Sequence, residues 1–513
     1  MPFPSRRGRT TDKAPICIFK EPLNYDVCRS DLFARPLSRS ASPDSSFPPP
    51  FPVDGPIING QPNEVLFEIF NAGRYGMAHE GLWLLKVSSV CRRWRTVATR
   101  TPSLWSNIYF GEHMLSTHYT DVCLTRSQNC PLDITFRLTE FRSRFPSRRF
   151  LQHISQIAQH TARWRSLEIQ ARSFADLCAI LSRLQNLEQL VQVTITLGSD
   201  DIADRRYHIN PVEAPRLTRI TLCGVSFVSC NLPSDRLTSL TLTRSARKLT
   251  GDELKRILTA SESLKQLSLS SDITTLGQQD WFTIRIPSLV SLTLFSSSER
   301  VFGHLCNTIV APALQNLALH HFSRECIRLF IDSCRLYSPK YPKLRSFEIR
   351  TVAALEDLIV IDIVDLLDEL ASIDNFSMMA LQSKAFLPIW PLLYCGHWEN
   401  LVPEEYQMRA VLLNHISYTP HYSYPTDTSV VPEWLQIFGG AIKPNPEQRM
   451  LLPNLRTITV SCLDSDNLLQ ACILALSRSA SGLPLTALRS YSMDRTSSVQ
   501  EWLKEYINIE MIL

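Results

Sequence analysis

The residue types that could do chemistry in this chain are few and scattered. His320, His321 and Cys326 form the tightest group of metal-ligand types, with His113 and His118 as a second spaced pair. A zinc centre needs its ligands in close pairs, yet the 14 cysteines include no CxxC; the nearest are Cys123/Cys130 and Cys223/Cys230. HExxH, GxSxG, the P-loop and GxGxxG are all missing, and 16 glycines in 513 residues leave little material for a phosphate-cradling loop. FRSRFPSRRF (141–150) interleaves arginine with phenylalanine, a pattern able to stack bases and contact phosphates. No second basic patch accompanies it, and a net charge of +4 is small for this length. The expectation is therefore a chain that is not an enzyme, with no catalytic residue, no metal and no cofactor, and with neither nucleic acid nor membrane as its partner.

The elements around these residues fall into three stretches. Residues 1–55 hold ten of the 32 prolines and the run SRSASPDSSFPPPFP (38–52); such a segment buries too little apolar surface to offset its ordering entropy and reads as a disordered tail. The N-terminus has basic residues but no apolar core of a secretory signal, and the cysteines have no disulfide framework. Reduced thiols and a cytoplasmic or nuclear location follow as expectations. The most apolar run, LIVIDIVDLLDEL (358–370), is interrupted by carboxylates, which excludes a membrane span. Its acidic side, Asp362, Asp365, Asp368 and Glu369, reads as solvated surface suited to a basic partner.

Residues 56–110 read as a small helical unit. Pro62 and Asn63 open a helix with Val65, Leu66, Ile69 and Phe70 on one face. After a polar link (71–81), Leu84, Val87, Cys91, Trp94 and Ala98 recur at steps of three and four, predicting one continuous helix. Arg92 and Arg93 fall on its wet flank, and Thr101-Pro102 stops it.

From residue 160 one phrase returns, apolar at its first, fourth and sixth places: LTRITL (217–222), LTSLTL (237–242), LKQLSL (264–269), LVSLTL (289–294), LQNLAL (314–319), LRSFEI (344–349) and LRTITV (455–460). WRSLEI (164–169), LVQVTI (190–195) and LRSYSM (488–493) are looser copies. Starts between 164 and 344 lie 20 to 30 residues apart, and several are introduced by a proline two residues earlier (Pro215, Pro287, Pro312, Pro342, Pro453). The phrase is a strand whose fourth and sixth side chains point inward. Helical spacing between copies, as in FADLCAILSRL (174–184), predicts an α/β class: an irregular leucine-rich-repeat-like solenoid with a parallel sheet over 111–513. Residues 350–450 contain no clean copy and read as a second helical lobe or an irregular insertion.

Taken together, QPNEVLFEIF (61–70), LLKVSSVCRRWRTVA (84–98) and PSLWSNIYF (102–110) resemble the F-box. VCLTRSQNCPLDITF (122–136) and QHTARWRSLEI (159–169) resemble phrases of the expanded F-box families of mushroom-forming fungi. The resemblance implies a Skp-type adaptor as partner, cullin through it, and an unidentified protein substrate on the repeats of an SCF ubiquitin ligase. It places Pro62, Glu64, Leu66, Ile69, Phe70, Val90, Cys91 and Trp94 on the adaptor side. Two departures stand out: Gln61 where the family has leucine, and the longer 71–81 link. They keep open a scaffold outside ubiquitination, or a repeat module that has lost the adaptor.

Overall fold

The structure, a computed structural model, describes residues 57–512 with interruptions, the longer ones at 74–79, 139–147, 199–212, 271–282, 352–359, 381–451 (Leu393 excepted) and 493–502. The 1–55 tail, most of the 71–81 link, residues 141–147 and most of the 350–450 stretch therefore lie outside the described residues. Ile57–Gly60 form a short 3-10 turn.

The helical part comprises α1 (Asn63–Ala72), α2 (Glu80–Val90) and α3 (Arg92–Arg100), followed by a 3-10 turn at Pro102–Trp105. Then come β1 (Asn107–Phe110), α4 (Thr117–Arg126), β2 (Leu132–Arg137), α5 (Arg148–Ala158), β3 (Trp164–Ala171), α6 (Phe174–Leu181), β4 (Gln192–Leu197), β5 (Arg219–Cys223) and β6 (Ser239–Thr243). The chain continues through α7 (Gly251–Ala260), β7 (Gln266–Ser270), β8 (Ile284–Arg285), β9 (Ser291–Phe295), α8 (Glu299–Thr308), β10 (Ile309–Val310), β11 (Asn316–His320), α9 (Arg324–Leu336) and β12 (Ser346–Thr351). It ends with α10 (Val360–Glu369), β13 (Asn375–Ala380), β14 (Thr457–Val460), α11 (Ser465–Ala480), β15 (Ala487–Ser490) and β16 (Asn508–Met511).

Among the described residues, fourteen strands form one parallel sheet that follows chain order from β1 to β16, while β8 and β10 pair separately. The mixed α/β class and the long parallel sheet agree with the sequence reading. Each repeat enters its strand through a turn: the N–H of Leu217, Leu289, Leu314, Leu344 and Leu455 bonds the carbonyl three residues back. In all five the second turn residue is the proline noted above, whose fixed φ suits that position. The leucines and the fourth and sixth residues of each phrase are buried and in register across strands, as with Leu292, Leu317 and Phe347. Helix starts between strands are fixed locally. Ser173 with Asp176 and Thr250 with Glu253 form capping boxes that satisfy the first free amides of α6 and α7.

Two repeat assignments change. Residues 350–450 do contain a copy: IDNFSM (373–378) supplies β13, with Ile373, Phe376 and Met378 fully buried. It was hidden because none of its three apolar places is leucine. The copy that forms β15 is LTALRS (485–490) and not LRSYSM (488–493), because Leu488 pairs with Ile458 as the fourth residue of its phrase and Ser490 with Val460 as the sixth. Shifting by three residues exchanges the faces of a strand, so burial decides the register.

Candidate functional site

α1 opens at Pro62, whose φ of −55° suits the turn into a helix, and carries Glu64 in its first turn, where the positive end of the helix dipole favours a carboxylate. Its two sides differ sharply. Leu66 and Phe70 have no exposed surface, whereas Pro62, Glu64, Val65 and Ile69 are exposed. Of the residues assigned to the adaptor side, Leu66 and Phe70 therefore hold the domain's own core and present no surface to a partner. Pro62, Val65 and Ile69 recur at steps of three and four, one edge of α1. Val65, part of the apolar face in the sequence but not among the adaptor-side residues, shares that edge.

The predicted single helix over 84–98 is two. Cys91 adopts an extended backbone (φ −153°, ψ 171°) between α2 and α3, and its Sγ accepts the Trp94 N–H at 3.4 Å. Cysteine thus acts as the N-cap of α3, a place usually held by Ser, Thr, Asp or Asn. The periodicity ran across the break because Val87 on α2 and Ala98 on α3 are both buried. Val90, the last residue of α2, is 60% exposed. Cys91 and Trp94 are half-buried. The Trp94 ring packs on Phe70 at 5.0 Å between centroids, and its buried Nε1 finds no acceptor among the described residues.

Three further ties make this unit rigid. Trp83 donates its indole N–H to the Phe70 carbonyl at 2.9 Å. Gly73 permits that approach, since a Cβ there would sit 2.4 Å from the Trp83 ring. Arg93 donates to the Gln61 carbonyl and to Asn63 Oδ1 (3.2 Å), tying α3 to the start of α1, and Arg95 reaches the Ser88 carbonyl at 2.9 Å. Arg93 had read as a solvated flank. Periodicity reports burial and does not show that a guanidinium on a flank reaches another helix.

The closing PSLW turn is interior. Leu104 and Trp105 are fully buried, and the Arg126 guanidinium lies 4.4 Å from the Trp105 ring centre. Trp105, Ile108 and Phe110 also occupy the first, fourth and sixth places of the repeat phrase, and β1 pairs with β2. The helical unit therefore ends inside the first strand of the sheet.

On the sheet, Thr194, Thr221, Thr241, Ser268 and Thr293 stand side by side, forming an uncharged hydroxyl row. Further along, Glu348 Oε1 lies 3.0 Å from Arg350 and 3.2 Å from His320 Nε2, the latter an ion-pair distance off line for a directed hydrogen bond. The His320 ring meets Phe295 edge-on at 4.6 Å. Cys326, grouped with His320 by sequence, is instead buried in α9. Arg335 of α9 pairs with Asp365 and Glu369, both at 3.0 Å, so part of the acidic side of α10 already has a basic partner within the chain. Burial pushes the Cys178 thiol up to about 11 and the Cys334 and Cys472 thiols up to about 12, which favours the thiol over the nucleophilic thiolate. Among the described residues no helix is long and apolar enough to cross a membrane.

Compared with protein families, residues 62–111 match the F-box-like family, from α1 through β1. No curated protein matches the chain. The span is thus an F-box-like domain, a class that in general binds Skp-type adaptors within SCF complexes.

Proposed function

We propose that this chain is a non-enzymatic substrate-recognition subunit of an SCF ubiquitin ligase, of the kind expanded in mushroom-forming fungi, working in the cytoplasm or nucleus. Pro62, Glu64, Val65, Ile69 and Val90, with the half-buried Cys91 and Trp94, meet a Skp-type adaptor. The parallel sheet is a leucine-rich-repeat-like solenoid that holds a protein substrate. The observation carrying this reading is an F-box-like domain that leaves Val65 (39%), Ile69 (37%) and Val90 (60%) exposed while its core is closed. Exposed apolar side chains on a rigid helical frame suit helix-in-groove docking. Function then lies in placement: tethering raises the substrate's effective concentration near a charged conjugating enzyme, and no catalytic group of this chain is required.

The test is a pull-down of the full chain with purified Skp-type adaptor, using Ile69→Asp and Val90→Asp variants whose folding is checked by circular dichroism. Binding by the wild type and loss in both folded variants supports the reading; no binding by the folded wild type ends it. Adding cullin–RING and a charged conjugating enzyme separates a ligase subunit, which modifies itself, from a scaffold, which does not.

A further inference from the structure

The basic residues of this chain are distributed in an unusual way. Of 53 lysines and arginines, 11 are lysine, and none lies between Lys86 and Lys248. Residues 87–247 hold 21 arginines, and the rest of the chain holds 21 arginines and all 11 lysines. A general preference for arginine acts on the whole chain and does not produce this partition. The interval runs from the last turn of α2 through α3 and the Trp105 joint to beyond β6.

Arginine is irreplaceable where its planar fork or its stacking is used, and some positions here qualify. Arg163 bonds both the Cys130 carbonyl and Ser127 Oγ, Arg165 makes two bonds to Asp133, and Arg126 lies over Trp105. Others do not qualify. Arg92, Arg100, Arg216, Arg219 and Arg244 are exposed, and their side chains make no hydrogen bond or ion pair among the described residues. At such places lysine would give the same charge and solubility. At these five positions, packing among the described residues does not account for the exclusion of lysine.

What separates the two residues at a solvated position is nucleophilicity. A lysine amine can shed a proton and attack, while the guanidinium stays protonated and delocalised. In a ubiquitin ligase the attack is specific: Nζ forms an isopeptide bond to the ubiquitin carbonyl carbon, the thioester C–S bond to the conjugating enzyme breaks, the thiolate leaves, and the amine proton passes to solvent. We infer that residues 87–247 are kept free of primary amines so that the assembled ligase does not modify this stretch, which continues from the F-box-like helices into the first strands. This rests on the SCF reading above.

The experiment uses the full chain assembled with adaptor, cullin–RING, conjugating enzyme and ubiquitin. Arg100→Lys, Arg216→Lys and Arg244→Lys are compared with Arg285→Lys, an exposed position on β8 outside the interval. Acceptor sites are mapped by mass spectrometry, and melting curves confirm that each variant is folded. The inference expects each lysine within 87–247 to be ubiquitinated, with self-modification roughly two- to threefold faster than in wild type and in Arg285→Lys, as proximity to the tethered enzyme dictates. It is overturned if native lysines are modified while the introduced ones are not, or if Arg285→Lys has the same effect. Failure of the wild type to bind adaptor removes the SCF reading itself, an outcome seen before any ubiquitin is added.

Discussion

Trp105 donates its indole N–H to the Ala98 carbonyl at 2.7 Å, while its own ring sits at the first place of the first repeat. One side chain thus belongs both to the F-box-like domain and to the sheet, and the two share a core. Trp105→Phe should cost about 1 kcal/mol from the lost hydrogen bond, and Trp105→Ala about 3–5 kcal/mol from the cavity. Because the core is shared, urea unfolding of Trp105→Ala followed by tryptophan fluorescence and by far-ultraviolet dichroism should shift together. Separate transitions would show that the parts fold independently.

The two sides of α1 predict opposite phenotypes. Leu66 is wholly buried, so Leu66→Ala should lower stability by about 2–5 kcal/mol whether or not a partner is present. Ile69→Asp should leave the urea midpoint nearly unchanged and abolish adaptor capture. A variant of Ile69 that unfolds, or one of Leu66 that stays as stable as wild type, would reverse the assignment of faces.

How far the sequence could be read follows from these residues. The strands were legible because burial on one face imposes alternation, and the recurring proline turn marks where each begins. β13 escaped because Ile, Phe and Met fill a pattern sought as leucine, and β15 was misplaced by three residues because two registers of the same letters fit. In the F-box-like part the apolar stripe was plain, but burial and docking leave the same stripe in a sequence. Leu66 and Phe70 were assigned to a partner for that reason. Cys91 broke a helix that the periodicity ran straight through, since a cap depends on backbone angles that side-chain spacing does not encode.

The turn after the strand repeats a backbone conformation. Gly224 (φ 77°), Arg244 (φ 51°) and His321 (φ 55°) each follow the last strand residue and are left-handed. Gly224 is doubly constrained, since a Cβ would come within 2.7 Å of the Leu197 carbonyl oxygen. Gly224→Ala should therefore cost at least about 1–2 kcal/mol, the usual penalty of the left-handed region for a side chain. Arg244 already bears that penalty, so Arg244→Gly should raise stability by about 0.5 kcal/mol after the added entropy of the unfolded chain. Denaturant midpoints of the two variants should move in opposite directions; movement in the same direction would mean that the turn geometry is not what limits either site.

Acid sensitivity should centre on Glu348. Contact with the His320 imidazole holds its carboxyl below the ordinary 4.5, burial opposes that, and Arg350 adds to the lowering. A carboxyl whose folded value lies below its unfolded value binds fewer protons when folded. Its stabilisation is complete above 4.5 and is lost as pH falls through the folded value. The group is partly solvated, so the effect should be on the order of 1 kcal/mol. Glu348→Gln cannot titrate, and its stability curve should be flatter than wild type below 4.5, with the two curves separated at neutral pH by a nearly constant offset. Urea midpoints measured from about pH 7 to pH 3 give both curves. Parallel curves across that range would show that Glu348 carries none of the acid response, and the titrating group would have to be sought elsewhere on the sheet.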